Sequence, residues 1–341
     1  MKKGVSVIIP CYNGERYLKN CLDSIVNQIF NDIEIIVIND GSTDASKEIV
    51  EEYMKSDKRI KLINKKNEGL SSARNGGIKE SSFKYIFFVD ADDFIDINTI
   101  KYLYDKAEKY DLDVVICDMI IYYNNDNNKI YKDIEIKDSE IKNSEYYLKE
   151  FFLGKGIGSV SNKLWKRELY ENNNISYPKN ITYGEDSSTM PRLICEAKKI
   201  GKVNKGLYYY RQNENSMMHK NKRIYEYILA YNLVIDYIDR KKIRYLDMYK
   251  FTFKYNLVYR HLQKVFMVSK IVKENEDYKK VYCEFRKDIK EKRNKYIKCK
   301  EKISLINYII VKSYKINFLI GEFVKYMIYL AIKIKNFLLG K

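Results

Sequence analysis

Lys84-Tyr85-Ile86-Phe87-Phe88-Val89-Asp90-Ala91-Asp92-Asp93 decides the fold. Its apolar run reads as a strand buried on both faces of a parallel sheet. Three carboxylates stand where that strand ends, and ligands of open α/β sheets bind beyond the carboxyl ends of the strands. Acids this close repel one another unless a cation joins them. A hard divalent ion with oxygen ligands, Mg2+ or Mn2+, suits them and would take substrate phosphates as its further ligands. The same residues also read as a solvated turn that caps the next helix.

Working back from this stretch, Val5-Ser6-Val7-Ile8-Ile9 is a short strand that Pro10 would stop. A turn at 11–15 leads into a helix from about Glu15, with Tyr17, Leu18, Cys21, Leu22, Ile25 and Val26 on one face. A second buried strand, Ile33–Ile38, ends in Asn39-Asp40-Gly41-Ser42-Thr43-Asp44, whose residues tolerate left-handed backbone and cap helices. A helix over 44–55 and a strand over 59–63 complete the third unit. Strand and helix alternate with short connections, which predicts an α/β domain with a parallel sheet and right-handed crossovers. The loops at Tyr12-Asn13, Asn39-Asp40 and Asp90–Asp93 should then open on one edge of the sheet. Neither GxGxxG nor GxxxxGK[ST] occurs, which argues against a dinucleotide fingerprint or a P-loop.

The chain has 341 residues, 45% of them hydrophobic, enough for two domains or for one with a long extension. Its net charge of +17 implies an anionic partner such as nucleotide phosphates, nucleic acid or an anionic membrane surface, or else a Lys-rich composition with no single partner. Cys11, Cys21, Cys117, Cys195, Cys283 and Cys299 lack CxxC or metal spacing and read as thiols in a reducing compartment. The start, Met1-Lys2-Lys3, leads straight into a strand with no signal-peptide apolar region, so a cytoplasmic protein is expected.

Four motifs stand in fixed order over about 90 residues: Val5–Glu15, Asn39–Asp44, Asn67-Glu68-Gly69-Leu70-Ser71-Ser72-Ala73-Arg74-Asn75-Gly76-Gly77, and Phe88–Asp93. Together they closely resemble the family 2 glycosyltransferases of bacterial cell-surface polysaccharide synthesis. The resemblance implies the GT-A fold, a Rossmann-like nucleotide-sugar-binding domain with a mostly parallel sheet, and thins out by about residue 216. It implies that Pro10, Tyr12, Asn13 and Glu15 form a nucleotide-contacting loop, with Tyr12 on the base and Glu15 near the ribose. Asp40 would accept a hydrogen bond from the base, as suits uracil N3–H. Arg74 would line the base and phosphates with a fork suited to anions. Asp90 would face the ribose or the metal, Asp92 would ligate the metal, and Asp93 would support either. Residues of these types also serve bland roles: Tyr12 in core packing, Arg74 in a surface ion pair, Asp40 in turn capping.

Further on, helices are expected over 96–110 and 143–153, a strand over 114–121, and a loop or hairpin tip at 122–131. Gly154–Ser159 reads equally as a loop that folds over substrate and as a linker. The segment Ser161–Lys166 resembles a family stretch on the acceptor side, which makes Lys163 and Trp165 candidate acceptor contacts, although Trp165 suits a core equally. Glu185 and Asp186 resemble the family's base motif. An inverting transfer requires the acceptor hydroxyl to lose a proton, and the match places the base on Asp186 with Glu185 orienting. Acids opening a helix also answer its macrodipole without any catalysis. A strand follows at 207–212. His219, one of two histidines, is a candidate third metal ligand or a surface residue, and His261 reads as structural.

From about 219 the sequence becomes helical in pattern and rich in Tyr and Lys, with no glycine between Gly206 and Gly321. The expected division is a catalytic domain over 1–218 and a helical extension over 219–341. From about 303, apolar clusters alternate with Lys. No charge-free run is long enough to span a bilayer, so an interfacial amphipathic helix on the inner face of the membrane is one expectation and packing on the catalytic domain or a second subunit, as in a homodimer, is the other. The whole points to transfer of a single sugar from a nucleotide donor, UDP-linked, to a hydroxyl of a cell-surface glycan or lipid-linked acceptor, with Mn2+ or Mg2+ as cofactor. No processive Gln-x-x-Arg-Trp motif is present. Two rivals are a metal-dependent nucleotidyl- or phosphotransferase, which the missing Gly-rich cradle disfavours, and a basic nucleic-acid-binding protein, which lacks any recognised motif.

Overall fold

A computed structural model describes residues 2–123, 128–212 and 224–259, isolated positions between 280 and 291, and Met327. The chain divides into two compact units: Met1–Leu148 with Gly156–Asn221, and Lys149–Lys155 with Lys222–Lys341. His219, His261 and all of the segment from about 303 except Met327 lie outside the described residues.

The first unit begins with β1 (Lys2–Cys11), α1 (Glu15–Val26), β2 (Ile33–Asn39), α2 (Ser46–Ser56), β3 (Ile60–Asn64), α3 (Leu70–Glu80) and β4 (Phe83–Phe88). These strands are apolar on both faces because helices cover both faces of the sheet. They lie side by side in the order β3-β2-β1-β4, all parallel. β1 continues through Pro10 to Cys11. Its pairing with β4 ends at Ile8–Phe88, whereas that with β2 runs on to Cys11–Asn39, so Pro10 sits where the strand has lost one neighbour. α1 buries Leu18, Cys21, Leu22 and Ile25, one stripe of a 3.6-residue period.

Then come β5 (Phe94–Ile95), α4 (Thr99–Tyr110), β6 (Val114–Tyr122), β7 (Lys129–Tyr131), α5 (Ser144–Phe152), β8 (Lys163–Lys166), α6 (Glu168–Glu171), α7 (Glu185–Glu196) and β9 (Ile200–Arg211). Here the sheet turns mixed. β8 lies antiparallel between β4 and β6, β9 runs parallel to β6, and β5 runs antiparallel to β9. Because β8 points the other way, the turn before it joins the edge of the sheet where β1, β2 and β4 end. In the second unit, α8 (Ile224–Arg240) is followed by α9 (Lys250–Lys254), which runs into a π-helical turn at Tyr255–Tyr259. Phe253 stacks on Phe152 at 4.2 Å, and the buried Lys254 pairs with Asp288 at 2.7 Å. No helix among the described residues is long and apolar enough to cross a membrane.

Candidate active site

The helix α3 sets the centre of the site. It carries Ser71, Ser72, Ala73 and Gly77 against the sheet, and a Cβ on Gly77 would stand 2.3 Å from Ile8 Cγ2. Only glycine permits that approach, and it draws Arg74, one turn earlier, into the interior. Arg74 is 2% exposed. A cation so buried requires charged partners, and three carboxylates supply them. Nη2 donates to Asp90 Oδ1 at 3.0 Å, while Nη1 donates to Asp186 Oδ1 at 2.7 Å and to Glu185 Oε1 at 3.1 Å. The fork expected on the base and phosphates is bonded here to the protein's own acids.

These three acids come from two places in the chain. Asp90 follows β4 and keeps 30% of its side chain exposed. Glu185 and Asp186 open α7 after Gly184, whose φ of +92 makes a turn that glycine adopts without strain. Asp186 Oδ2 accepts from Ser159 Oγ and Val160 N, each at 3.2 Å. Burial pushes the Glu185 carboxyl up to about 7, helped by the charge of Asp186 and opposed by Arg74. Burial raises Asp186 as well, against the pull of Arg74. Two neighbouring acids with raised values are a common mark of a catalytic site, since a base works best near the ambient pH.

Asp93 lies on the other side of its turn, 1% exposed. Its carboxylate accepts from Arg211 N at 2.8 Å and from the Tyr208 hydroxyl at 2.7 Å. Burial first, then the charges of Asp92 and Asp90, push it well above the usual carboxylate range. The Arg211 guanidinium donates to the Asp92 carbonyl at 2.9 Å and to Asn20, and lies 4.7 to 5.1 Å from the rings of Tyr17, Phe94 and Tyr122. This aromatic box fixes the peptide that carries Asp92. Composition offered no signal for Arg211 beyond its place at the end of a strand.

The first loop presents Tyr12 to solvent, 54% exposed, free to take a planar ring. Asn13, at φ +50, accepts from Thr43 N at 2.8 Å. Glu15 accepts from Ala45 N at 3.0 Å and donates its own N–H to Asp44. Both residues thus clasp the first loop to the turn after β2. Pro10 is buried in β1 beneath them. Asp40 is 3% exposed and accepts from Lys65 Nζ at 2.7 Å, from Gly69 N at 2.7 Å and from Glu68 N. Glu68 N is shared between the two oxygens at 3.1 and 3.3 Å, so each oxygen of Asp40 has two N–H contacts.

Lys163 and Trp165, expected at the acceptor, are core residues at 0% exposure. β8 is enclosed between β4 and β6, so its side chains pack inward; Trp165 Nε1 donates to Val160 O at 3.0 Å and Lys163 Nζ lies 3.0 Å from Asp133. For a metal, no group of three or more His, Cys, Asp or Glu suited to an ion occurs among the described residues. Asp90 and Asp92 on one turn are oxygen donors of the kind that Mg2+ or Mn2+ takes one or two at a time beside substrate phosphates, so the donor set fits.

Comparison with known structures and sequences bears on the fold and the family. The fold is that of Staphylococcus aureus TarS: its 1–349 fragment in complex with UDP-GlcNAc superimposes with a TM-score of 0.69 at 19% identity, covering 100% of this chain and 93% of that one. The model of "Glycosyl transferase family 2" matches residues 6–173. The glycosyltransferase GlyG of Streptococcus pneumoniae is 32% identical over 225 residues, 64% of this chain and 74% of that protein. The uncharacterized glycosyltransferase EpsJ of Bacillus subtilis is 38% identical over 216 residues, 62% of this chain and 62% of EpsJ, so less than two thirds of that relative is spanned. The chain belongs to glycosyl transferase family 2, with the GT-A fold.

Proposed function

We propose that the protein is an inverting glycosyltransferase that moves a single sugar from a UDP-sugar to a hydroxyl of a glycan or lipid-linked acceptor. The observation that carries this reading is the Arg74 bridge. It joins the acid after β4 to the acid pair that opens α7, 2.7 to 3.1 Å from one guanidinium, and so brings donor and acceptor chemistry to one place. UDP-GlcNAc bound to a protein of the same fold supports the choice of donor class.

In this reading the base of UDP packs on Tyr12, and Asp40 takes the remaining N–H of the base. Asp186 accepts the proton of the acceptor hydroxyl as its oxygen bonds to C1 of the sugar. The bond from C1 to the phosphate oxygen breaks in the same displacement, its electron pair leaves with UDP, and no covalent enzyme intermediate forms. Glu185 orients the acceptor side. When bound, a divalent ion held by Asp92 and Asp90 supplies positive charge to the leaving diphosphate.

Calorimetric titration with UDP, with Mn2+ and with EDTA, tests the donor site, and UDP release from a panel of UDP-sugars tests turnover. UDP binding that requires the metal is expected, and no UDP binding in either condition removes the UDP assignment. Asp186→Asn should bind UDP normally and lose transfer by about 100-fold or more. Full transfer by that variant would move the base elsewhere.

A further inference from the structure

A second polar cluster lies buried against the acid pair, and the transfer mechanism does not use it. Its centre is Lys163, whose side chain has no exposed surface and whose Nζ stands 3.0 Å from Asp133 Oδ2. The same ammonium donates to Ile157 O at 2.9 Å, Ser159 O at 2.8 Å and Asn162 Oδ1 at 2.7 Å. Asp133 is enclosed in turn by Asn162 Nδ2 at 2.7 Å, Ile134 N, Ile157 N and the Tyr147 hydroxyl. Beside it Lys202 pairs with Asp118 at 2.7 Å, and both also bond the backbone of Asp133. Two cations balance two carboxylates, and the described partners satisfy every one of them.

Stability does not account for such a cluster. Taking two ions fully out of water costs as much as their attraction returns, and well-packed apolar residues commonly serve a core as well or better. What a lysine does here and an apolar side chain cannot is gather two carbonyls of one tight turn. Those carbonyls, of Ile157 and Ser159, flank the groups that hold the candidate base: Ser159 Oγ and Val160 N, both on Asp186 Oδ2 at 3.2 Å. Trp165 takes the next carbonyl, Val160 O, at 3.0 Å. Gly156 enters the turn at φ +76, where a Cβ would stand 2.7 Å from Asp133 Oδ1. The polar groups of this turn are thus fixed from below by β8 and Asp133 and from above by Asp186.

We propose that Lys163 is a positioning residue for the transfer: with Asp133 it locks the turn 157–161 so that Ser159 and Val160 hold the Asp186 carboxylate in one orientation. The inference rests on the reading of Asp186 as base. It reassigns the residue that the sequence placed at the acceptor, which acts through the turn and not by touching the sugar.

The test compares Lys163→Met, Lys163→Met with Asp133→Asn, and Ser159→Ala. Each is followed by UDP titration, by UDP release from UDP-GlcNAc, UDP-glucose and UDP-galactose, and by hydrogen–deuterium exchange across 156–162. Lys163→Met should lower kcat about 10- to 100-fold, as misplacement of a reacting group does, with UDP affinity unchanged and faster exchange in the turn. Neutralising the pair with Asp133→Asn should recover thermal stability without recovering kcat; recovery of both would make the role purely structural and overturn the proposal. In the Asp186→Asn background, Lys163→Met should cost nothing further. If Lys163→Met fails to fold, Ser159→Ala, which leaves the buried pair intact, should still lower kcat severalfold, and an unchanged kcat overturns the proposal. Asp186→Asn with full turnover would remove the base assignment itself. Loss in Asp186→Asn with full turnover in Lys163→Met removes only the positioning role. If none of the three UDP-sugars is turned over, unchanged exchange in the turn of Lys163→Met overturns the proposal.

Discussion

Two acidic turns, Asp90–Asp93 and Glu185–Asp186, are built by opposite means. In the first, Asp93 is sealed from water with hydrogen bonds from one amide and one phenol, and its charge is disfavoured by burial and by its neighbours. In the second, Glu185 and Asp186 keep 13% and 17% of their side chains exposed and share a guanidinium. The sealed acid braces a loop, while the acids beside a buried cation remain partly open to a ligand. An acid needs both a charge partner and a path to solvent before it can work on a substrate, and Asp90, Glu185 and Asp186 have both.

Breaking the cation should have the largest effect. Arg74→Met takes from Asp90, Glu185 and Asp186 the cation that they share. Truncating one side of a buried ion pair costs about 3–5 kcal/mol, and the loss should be near the top of that range because three partners are stranded. Chemical denaturation of the variant against the parent measures it. A loss below about 1 kcal/mol would mean that solvent, and not Arg74, balances these acids.

The next effect is the pH dependence that Glu185 contributes in the second turn. The folded protein raises Glu185 to about 7 from an ordinary 4.5, so the folded state holds the proton more tightly than the unfolded chain. Stability from this group is fully present below pH 4.5 and is lost as pH rises through about 7. Each tenfold gain in proton affinity is worth about 1.4 kcal/mol, and because Asp186 titrates beside Glu185 the loss is set lower than the full sum, at about 2 kcal/mol. Glu185→Gln should match the parent at pH 4 and exceed it at pH 8. Parallel stability curves for the two proteins would refute the raised value.

The alternation of strand and helix, the apolar runs and the acids at strand ends were legible in the sequence because each depends on residues close in the chain. So were the site's two acidic turns. What the sequence hid depends on neighbours far away. Arg74 read as an anion-binding residue because its partners lie 16, 111 and 112 positions off. The helix that carries it was not legible as a helix, since Ser71, Ser72, Gly76 and Gly77 are poor helix formers whose value here is closeness to Ile8. Lys163 read as an acceptor contact, and Trp165 as equally that or a core residue, because nothing local reports that β8 inserts backwards into the sheet. Arg211 gave no signal at all, since its aromatic box is drawn from Tyr17, Phe94 and Tyr122.

The smallest effect belongs to the sealed turn and isolates it from the other. Tyr208 has no exposed surface, and its hydroxyl both donates to Asp93 at 2.7 Å and accepts from Asp90 N at 3.2 Å. Tyr208→Phe keeps the ring, so packing against Phe87 is retained. It removes one hydroxyl and leaves a carboxyl oxygen and an amide short of a partner, which costs about 1–2 kcal/mol. Because the hydroxyl touches neither Glu185 nor Asp186, the pH dependence assigned to Glu185 should persist unchanged in the variant. Its turn also carries Asp92, so metal-dependent UDP binding should weaken by a few-fold while the base remains in place. If the change in pH profile made by Glu185→Gln instead differed in the Tyr208→Phe background, the two turns would be one coupled unit through Asp90, and the division between a bracing acid and working acids would have to be given up.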